Sequence, residues 1–519
     1  MHRLVVALTT LLSLTAAAVV GGYLFVFAAA ADRASRAAPA GSSLYGTLYL
    51  QPSTGQKMNL AALLGHVPGL ADAASLDQKL HEIAGRLLGE AGLEYEADLR
   101  PWLGNQLSIA VEADGTDPAA ASVTLLVAVK DPVAAGAALD RIAEDLGAAG
   151  DPESYEGVEM TIGPEGAWAL LDDLLVVAND AAAVRAALDA DADRAPSLAD
   201  DTAFVVAMRR VPADHLASMY VNLRGLAGAA GAEEQLGGYS DASLALVVEQ
   251  DGLRLAGNAP FEADAASAST REAFALASEP SSLAEWMPGD TQAELVVFAV
   301  GQTVAAAEEQ LGVTPGAGEV ADAIDQLRGL ATLFLGIDLD EDLLPLFDRE
   351  TALAVGGLQD AEPSGQLLLR PADAGAAQAA LDSMRDSLRE RGAAVDEEEA
   401  EGVTITTIDV PQVGQISYAM QDGVIIAGLD PDHVAKALSA AADGTTLGAS
   451  ARYRSAWELA GVRGGNEFWV DVAAAVDAGG DELGVTGDVR DILLAIDALA
   501  MTAPARDAMS EFHLVLTAR

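Results

Sequence analysis

Internal repetition constrains this chain more than any other feature, because similar segments in similar order must fold into similar units. The repeat has an offset of 244 residues. Gly92-Leu93-Glu94-Tyr95-Glu96-Ala97-Asp98-Leu99-Arg100-Pro101 lies over Gly336-Ile337-Asp338-Leu339-Asp340-Glu341-Asp342-Leu343-Leu344-Pro345, and the register holds without a gap from Leu76 to Val111. Seven of those 36 pairs are identical, at Gly85, Gly92, Asp98, Leu99, Pro101, Ala110 and Val111. The apolar pattern repeats too. Leu76, Leu80, Ile83 and Leu87 lie over Val320, Ile324, Leu327 and Ala331, a spacing that puts all four on one helical face. Ser75 and Gln78 read as a capping box at the start of the first of these helices.

The correspondence continues with small shifts. An apolar strand at Val123–Val129 matches Gln366–Leu369, and helices open after Asp131-Pro132 and after Pro371. Gly157-Val158 and Gly402-Val403 start further strands. Leu174–Ala178 matches Val424–Ala427, each followed by a short helix, with Val184 and Leu188 or Val434 and Leu438. Tyr220-Val221-Asn222-Leu223 matches Trp469-Val470-Asp471-Val472. Each unit closes with a hairpin: Leu244–Val248 turns at Asp251-Gly252 into Leu253–Leu255, and Ile496–Met501 returns through Phe512–Leu516. Strands in hairpin-like pairs with helices between them predict an α+β class, two tandem repeats each built on a largely antiparallel sheet with packed helices. The expected boundaries are unit 1 at 44–262 and unit 2 at 288–519. An Ala/Ser/Arg-rich stalk is expected at 32–43, and a Ser/Ala-rich connector with a helical turn near Phe274 at 263–287.

Behind a three-residue tail, residues 1–3, Leu4 to Ala31 is apolar for 28 residues without a charge or a proline. That exceeds the ~20 residues needed to span a bilayer and the ~7–15 of a secretory signal's apolar region. The expectation is a transmembrane helix or signal anchor with everything after Asp32 on one side, outside a bacterial cell. The alternative is a signal cleaved after Ala28-Ala29-Ala30 and a secreted protein. Arg3 on one side and Arg33 and Arg36 on the other leave the orientation weakly encoded.

Composition narrows the chemistry. There are 79 Asp and Glu against 29 Lys and Arg, a net charge of −50, four lysines and no cysteine. Such a chain lacks the basic patch that nucleic acid requires. Without cysteine there is no thiol catalysis, disulfide, Cys-ligated metal or lipobox anchor. A 51% hydrophobic share excludes wholesale disorder.

No catalytic, cofactor-binding or metal-binding residue is assigned. His2, His66, His81, His215, His433 and His513 are far apart, and no HExxH, Gly-x-Ser-x-Gly or phosphate-loop pattern is present. Asp189, Asp191 and Asp193 have the spacing of a calcium loop, but Arg194 stands where that loop needs glycine and Asp200 where it needs glutamate. Asp338–Asp342 could offer hard oxygens to calcium, but it reads as a solvated loop. Asp396–Glu401 reads as a solvated turn before a strand at Val403–Ile408. Asp98 and Asp342 read as turn or helix caps ahead of Pro101 and Pro345. Trp102, Trp168, Trp286, Trp457 and Trp469 read as core.

Asp98-Leu99-Arg100-Pro101-Trp102-Leu103-Gly104-Asn105, followed by the alternating strand Leu107–Val111, resembles a bacterial envelope family known only as domain of unknown function 3352. The element order is also similar: a membrane helix, a strand at Tyr45–Leu50, a helix, then the Asp-x-x-Pro-Trp-Leu-Gly turn. The second copy departs from it with Pro345-Leu346-Phe347-Asp348. The resemblance implies a membrane-tethered exported protein and brings no catalytic residues. The expected function is a non-enzymatic binding or structural scaffold of the envelope, without cofactor, whose partner is the membrane through Leu4–Ala31 and an envelope protein. The alternatives are a carrier of a hydrophobic ligand or lipid, and a hydrolase using acidic residues.

Overall fold

The computed structural model describes residues 32–66, 94–113, 121–145, 150–164, 166–230, 238–262, 264, 271, 275–276, 278–301, 338–358, 364–410, 414–479, 485–506 and 508–519. The expected membrane helix Leu4–Ala31, the apolar faces Leu76–Leu87 and Val320–Ala331, the capping box at Ser75 and the turn at Phe274 lie outside these residues. Among the described residues no helix is long and apolar enough to cross a membrane. The chain divides into two compact units, residues 1–265 and 266–519.

The first unit holds ten strands among its described residues: β1 (Leu44–Tyr49), β2 (Leu103–Glu112), β3 (Ser122–Val129), β4 (Asp151–Tyr155), β5 (Val158–Gly163), β6 (Gly166–Leu170), β7 (Leu174–Ala178), β8 (Ala217–Val221), β9 (Ala242–Glu249) and β10 (Gly252–Pro260). All their pairings are antiparallel, in the spatial order β10-β9-β8-β1-β2-β3-β7-β6-β5-β4. β7 is Leu-Leu-Val-Val-Ala, apolar throughout and buried along its whole length. Such a run belongs in a strand covered on both faces. Leu174, Val176 and Ala178 pack with Val184 and Leu188 of the Ala181–Asp191 helix, whereas Leu175 and Val177 pack with Ala138 and Leu139 of the Pro132–Asp145 helix. The sheet is therefore the middle of three layers. Near its other end, Leu60 and Leu64 of the Thr54–Gly65 helix cover Leu246 and Val248 of β9.

The second unit contains β11 (Thr291–Phe298), β12 (Glu350–Gly356), β13 (Ser364–Arg370), β14 (Ala394–Ala400), β15 (Val403–Val410), β16 (Gly414–Gln421), β17 (Val424–Gly428), β18 (Asn466–Asp471), β19 (Ile496–Ala503), β20 (Ala505–Arg506) and β21 (Met509–Ala518). Their antiparallel order is β21-β19-β18-β11-β12-β13-β17-β16-β15-β14, with β20 folded back on β21. β17 repeats the two-sided logic of β7. Its Val424 and Ile426 face Val434 and Leu438 of the Pro431–Asp443 helix, while Ile425 faces Leu381 of the Ala374–Glu390 helix. The α+β expectation thus holds at the level of antiparallel sheets with packed helices.

Three expectations are corrected. Residues 32–43 are no stalk: Ala34, Ala37 and Ala38 are at most 1% exposed and belong to the first unit's core. Alanine suits a linker by composition, but its small side chain equally lets a turn lie close against a sheet. The end of the expected connector likewise joins the second core, through Leu283, Ala284 and Met287. The acidic run at Asp396 is not a turn either. It lies within the edge strand β14, and the turn into β15 falls at Glu401-Gly402, both with positive φ.

Candidate functional site

Each unit carries a cluster of polar side chains inside its core. In the first, Tyr45 and Thr47 on β1 and Gln106 and Ser108 on β2 share one face by the period-two alternation of strands. The turn Ala34–Arg36 drops onto that face. Tyr45 donates its hydroxyl to Asp32 Oδ1 at 2.6 Å, and Gln106 Nε2 donates to the same oxygen and to Ser108 Oγ. The Gln106 carbonyl oxygen accepts from the Arg33 backbone N–H at 3.0 Å, and Thr47 Oγ1 lies 2.9 Å from Ser108 Oγ. Arg33 then reaches outward, donating twice to Asp173 at 2.8 and 2.9 Å and once to Asp191 at 2.6 Å. Burial, reinforced by the Asp32 carboxylate, raises the Tyr45 phenol well above its ordinary value. The hydrogen bond from Arg33 holds Asp173 below the usual carboxylate range.

The Asp-x-x-Pro-Trp-Leu-Gly segment is also explained. Asp98 Oδ2 accepts from the Glu94 backbone N–H at 2.7 Å, closing the Tyr95–Leu99 turn, and Asp98 Oδ1 accepts from Arg141 at 2.6 Å. Trp102 is 3% exposed and packs with Tyr95, Leu99 and Leu107. A Cβ on Gly104 would sit 2.7 Å from the Ala128 carbonyl oxygen on β3, so this strand pair approaches too closely for a side chain.

In the second unit the polar cluster is charged. Glu294 on β11 faces Trp469 on β18, and Glu467 on β18 faces Val296 on β11, so the two glutamates are diagonal neighbours on one face. They are 1% and 0% exposed. Arg463 donates to Glu467 Oε2 at 2.7 Å and to the Tyr453 hydroxyl at 2.8 Å. Its guanidinium carbon lies 5.0 and 5.3 Å from the ring centroids of Trp457 and Tyr453, within cation–π range. Glu350 on β12 accepts from Ser281 Oγ and the Ser282 N–H, both at 3.1 Å, and stands 3.5 Å from Arg370 Nε. Both oxygens of Glu294 are buried and neither makes a well-formed hydrogen bond. Burial first, and the Glu467 carboxylate second, push Glu294 up to about 8; the Tyr453 hydroxyl and Arg463 act the other way. Burial also raises Glu467, against the opposing pull of Arg463.

This cluster was missed by motif reasoning, although a signal existed. In Thr291–Phe298 the alternation gives Glu294 the same parity as Val296 and Phe298. The residues weighed from sequence do not come together. Asp189 pairs with Arg194 and Tyr155, and Asp191 with Arg33. Asp342 and Asp338 turn their carboxylates onto the backbone N–H groups of Asp338 and Asp340. No group of three or more metal-competent side chains converges among the described residues. Trp102, Trp457 and Trp469 are core residues, and Trp168 and Trp286 pack at core margins. His215 Nδ1 donates to the Pro212 backbone carbonyl and His513 lies 3.3 Å from Glu511, whereas His2 and His81 lie outside the described residues. An open cleft of about 410 Å³ on the second unit is lined by residues that include Pro288, Asp290, Lys436, Ser439 and Asp443.

A family model described as protein of unknown function (DUF3352) matches residues 32–517. No curated protein matches the chain. Among solved structures, crystal forms I and III of TP0453 are similar to it at 9% and 8% identity, each with a TM-score of 0.25. Both cover 45% of this chain and 80% and 81% of their own. A likeness that slight carries no argument about fold or function.

Proposed function

The chain belongs to the DUF3352 family of proteins of unknown function, and from that premise we propose that it is a non-enzymatic, membrane-anchored extracytoplasmic scaffold built from two repeated units. One observation carries the scaffold reading: the interior polar groups are largely spent on holding the fold. Asp32 and Gln106 tie the first turn to the sheet, and Glu350 does the same through Ser281 and Ser282. The offset of 244 that relates the two sequences carries Gln106 onto Glu350, so the two anchors occupy equivalent places. The two units have the same strand order, which supports the repeat.

The anchor reading rests on the uncharged, largely apolar 28-residue stretch from Leu4 to Ala31. An alkaline-phosphatase fusion at the C-terminus tests it: activity supports export of the folded units, and an inactive fusion overturns it. Retention in the membrane pellet after carbonate extraction separates an uncleaved anchor from a cleaved signal.

A second reading, carriage of a hydrophobic ligand, is favoured by one feature. Leu295 and Leu353 sit opposite each other on β11 and β12 and are 43% and 45% exposed. Phe468 and Leu367 extend the row in register. Native mass spectrometry of the full chain decides between the two, since a carrier brings lipid with it and a scaffold does not. A hydrolase is not favoured among the described residues: the buried carboxyls Glu294, Glu350 and Glu467 lie within the core and not in an open cleft.

A further inference from the structure

The interior of the second unit does not balance its charges if every group is ionised. Among the described residues Glu294, Glu350 and Glu467 stand against Arg370 and Arg463, while the buried Asp471 is met separately by Arg452. Arg370 is nearest to Glu350, and Arg463 is spent on Glu467. Among the described residues Glu294 is left without a cation of its own, and an isolated buried carboxylate is far costlier than a buried carboxylic acid.

The position allows no escape to water. Glu294 is sandwiched in the sheet between Trp469 on β18 and Ala354 on β12. Among the described residues, the polar and charged groups that face it are the Tyr453 hydroxyl from the Ala451–Ala460 helix, Arg463 from the loop after that helix, and the Glu467 carboxyl from β18. Glu350 on β12 acts on Glu467 at one remove. In the first unit the register places Tyr45 opposite Tyr220, in the place that Glu294 takes opposite Trp469. A phenol there remains neutral, and its hydroxyl has a carboxylate to bind.

We propose that Glu294 holds a proton inside the second unit at neutral pH, and that its release makes this unit loosen as the surroundings turn alkaline. The sign follows from linkage. The folded unit binds a proton that the unfolded chain has already lost. Its contribution to stability is whole below the ordinary glutamate value of 4.5 and is lost as pH rises to about 8. Within that window the folding equilibrium constant falls by up to about tenfold per pH unit on account of this one group.

The test is thermal unfolding of the full chain by scanning calorimetry from pH 5 to pH 9, for the native protein and for Glu294→Gln. Glutamine keeps the shape and cannot ionise. The native protein should lose stability relative to the variant as pH rises, and the difference should level off above pH 8. Parallel pH profiles would overturn the proposal. Should the variant fail to fold, carboxyl-carbon NMR of the native chain labelled at glutamate decides: one resonance titrating near pH 8 supports it, and titration of every glutamate below pH 6 overturns it.

Discussion

The Trp102 indole N–H donates to the backbone carbonyl of Asp98, 2.5 Å away, and so locks the turn that precedes β2 onto the first unit's core. Two separable effects reside in that side chain. Trp102→Phe keeps most of the buried area and loses the hydrogen bond, for a cost of about 1 kcal/mol. Trp102→Ala loses both and should cost about 3–5 kcal/mol. Urea unfolding distinguishes them. Gly104→Ala belongs to the same series, because the new methyl meets the Ala128 carbonyl. A cost of about 1–3 kcal/mol is expected, since the strand pair must spread to admit it.

The segment 32–43 gives a qualitative prediction. If it were a stalk, excising it would leave the unfolding midpoint unchanged. Because it carries Asp32 and three core alanines, its removal should leave the first unit unable to fold, seen as loss of that unit's calorimetric transition. The milder Asp32→Ala leaves the Tyr45 hydroxyl and the Gln106 amide short of an acceptor. A loss of about 1–3 kcal/mol is expected.

Arg463 should be far less replaceable than its partner pair. Arg463→Met strands the buried Glu467 carboxylate and removes the cation from two aromatic faces, which should destabilise by about 3–5 kcal/mol. Arg463→Met combined with Glu467→Leu removes both charges and should recover most of that loss. A double-mutant cycle in denaturant measures the coupling, and simple additivity of the two single changes would contradict the pairing.

At the acid end, Arg33 and Asp173 set the opposite sign to Glu294. Asp173 is held below its ordinary value of 3.8, so its contribution is present above that value and lost as pH falls through the depressed one. The Asp173 side chain is 56% exposed, so the effect is small and screened by salt. Asp173→Asn should lower stability slightly at neutral pH and low salt. The difference should fade as pH falls below 3.8 and through the depressed value, and shrink in high salt, as read from chemical-unfolding midpoints.

The strands that lie wholly in the core were legible from sequence. Leu174–Ala178 coincides with β7, and the closing hairpins at Asp251-Gly252 and before Phe512 fall where β9–β10 and β19–β21 stand. The candidate site was not legible, because polar residues in an alternating strand declare only their parity. Glu294 shares its parity with Val296 and Phe298, yet nothing local says that Arg463, 169 positions away in the chain, takes the charge of Glu467 and leaves Glu294 alone.

What the sequence determined by itself is what local pattern can encode: apolar runs that must be covered on both faces, Asp and Gly that close turns, and an offset that carries Gln106 onto Glu350. The rest depended on neighbours distant in the chain. The alanines at 34, 37 and 38 suit a linker or a tight contact equally, and the sheet beside them decided for contact. The glutamates of β14 have poor intrinsic preference for a strand, but β15 supplies the hydrogen-bonding partner while their side chains stay in water. Burial, pairing and protonation are properties of an environment, and only the folded chain assembles one.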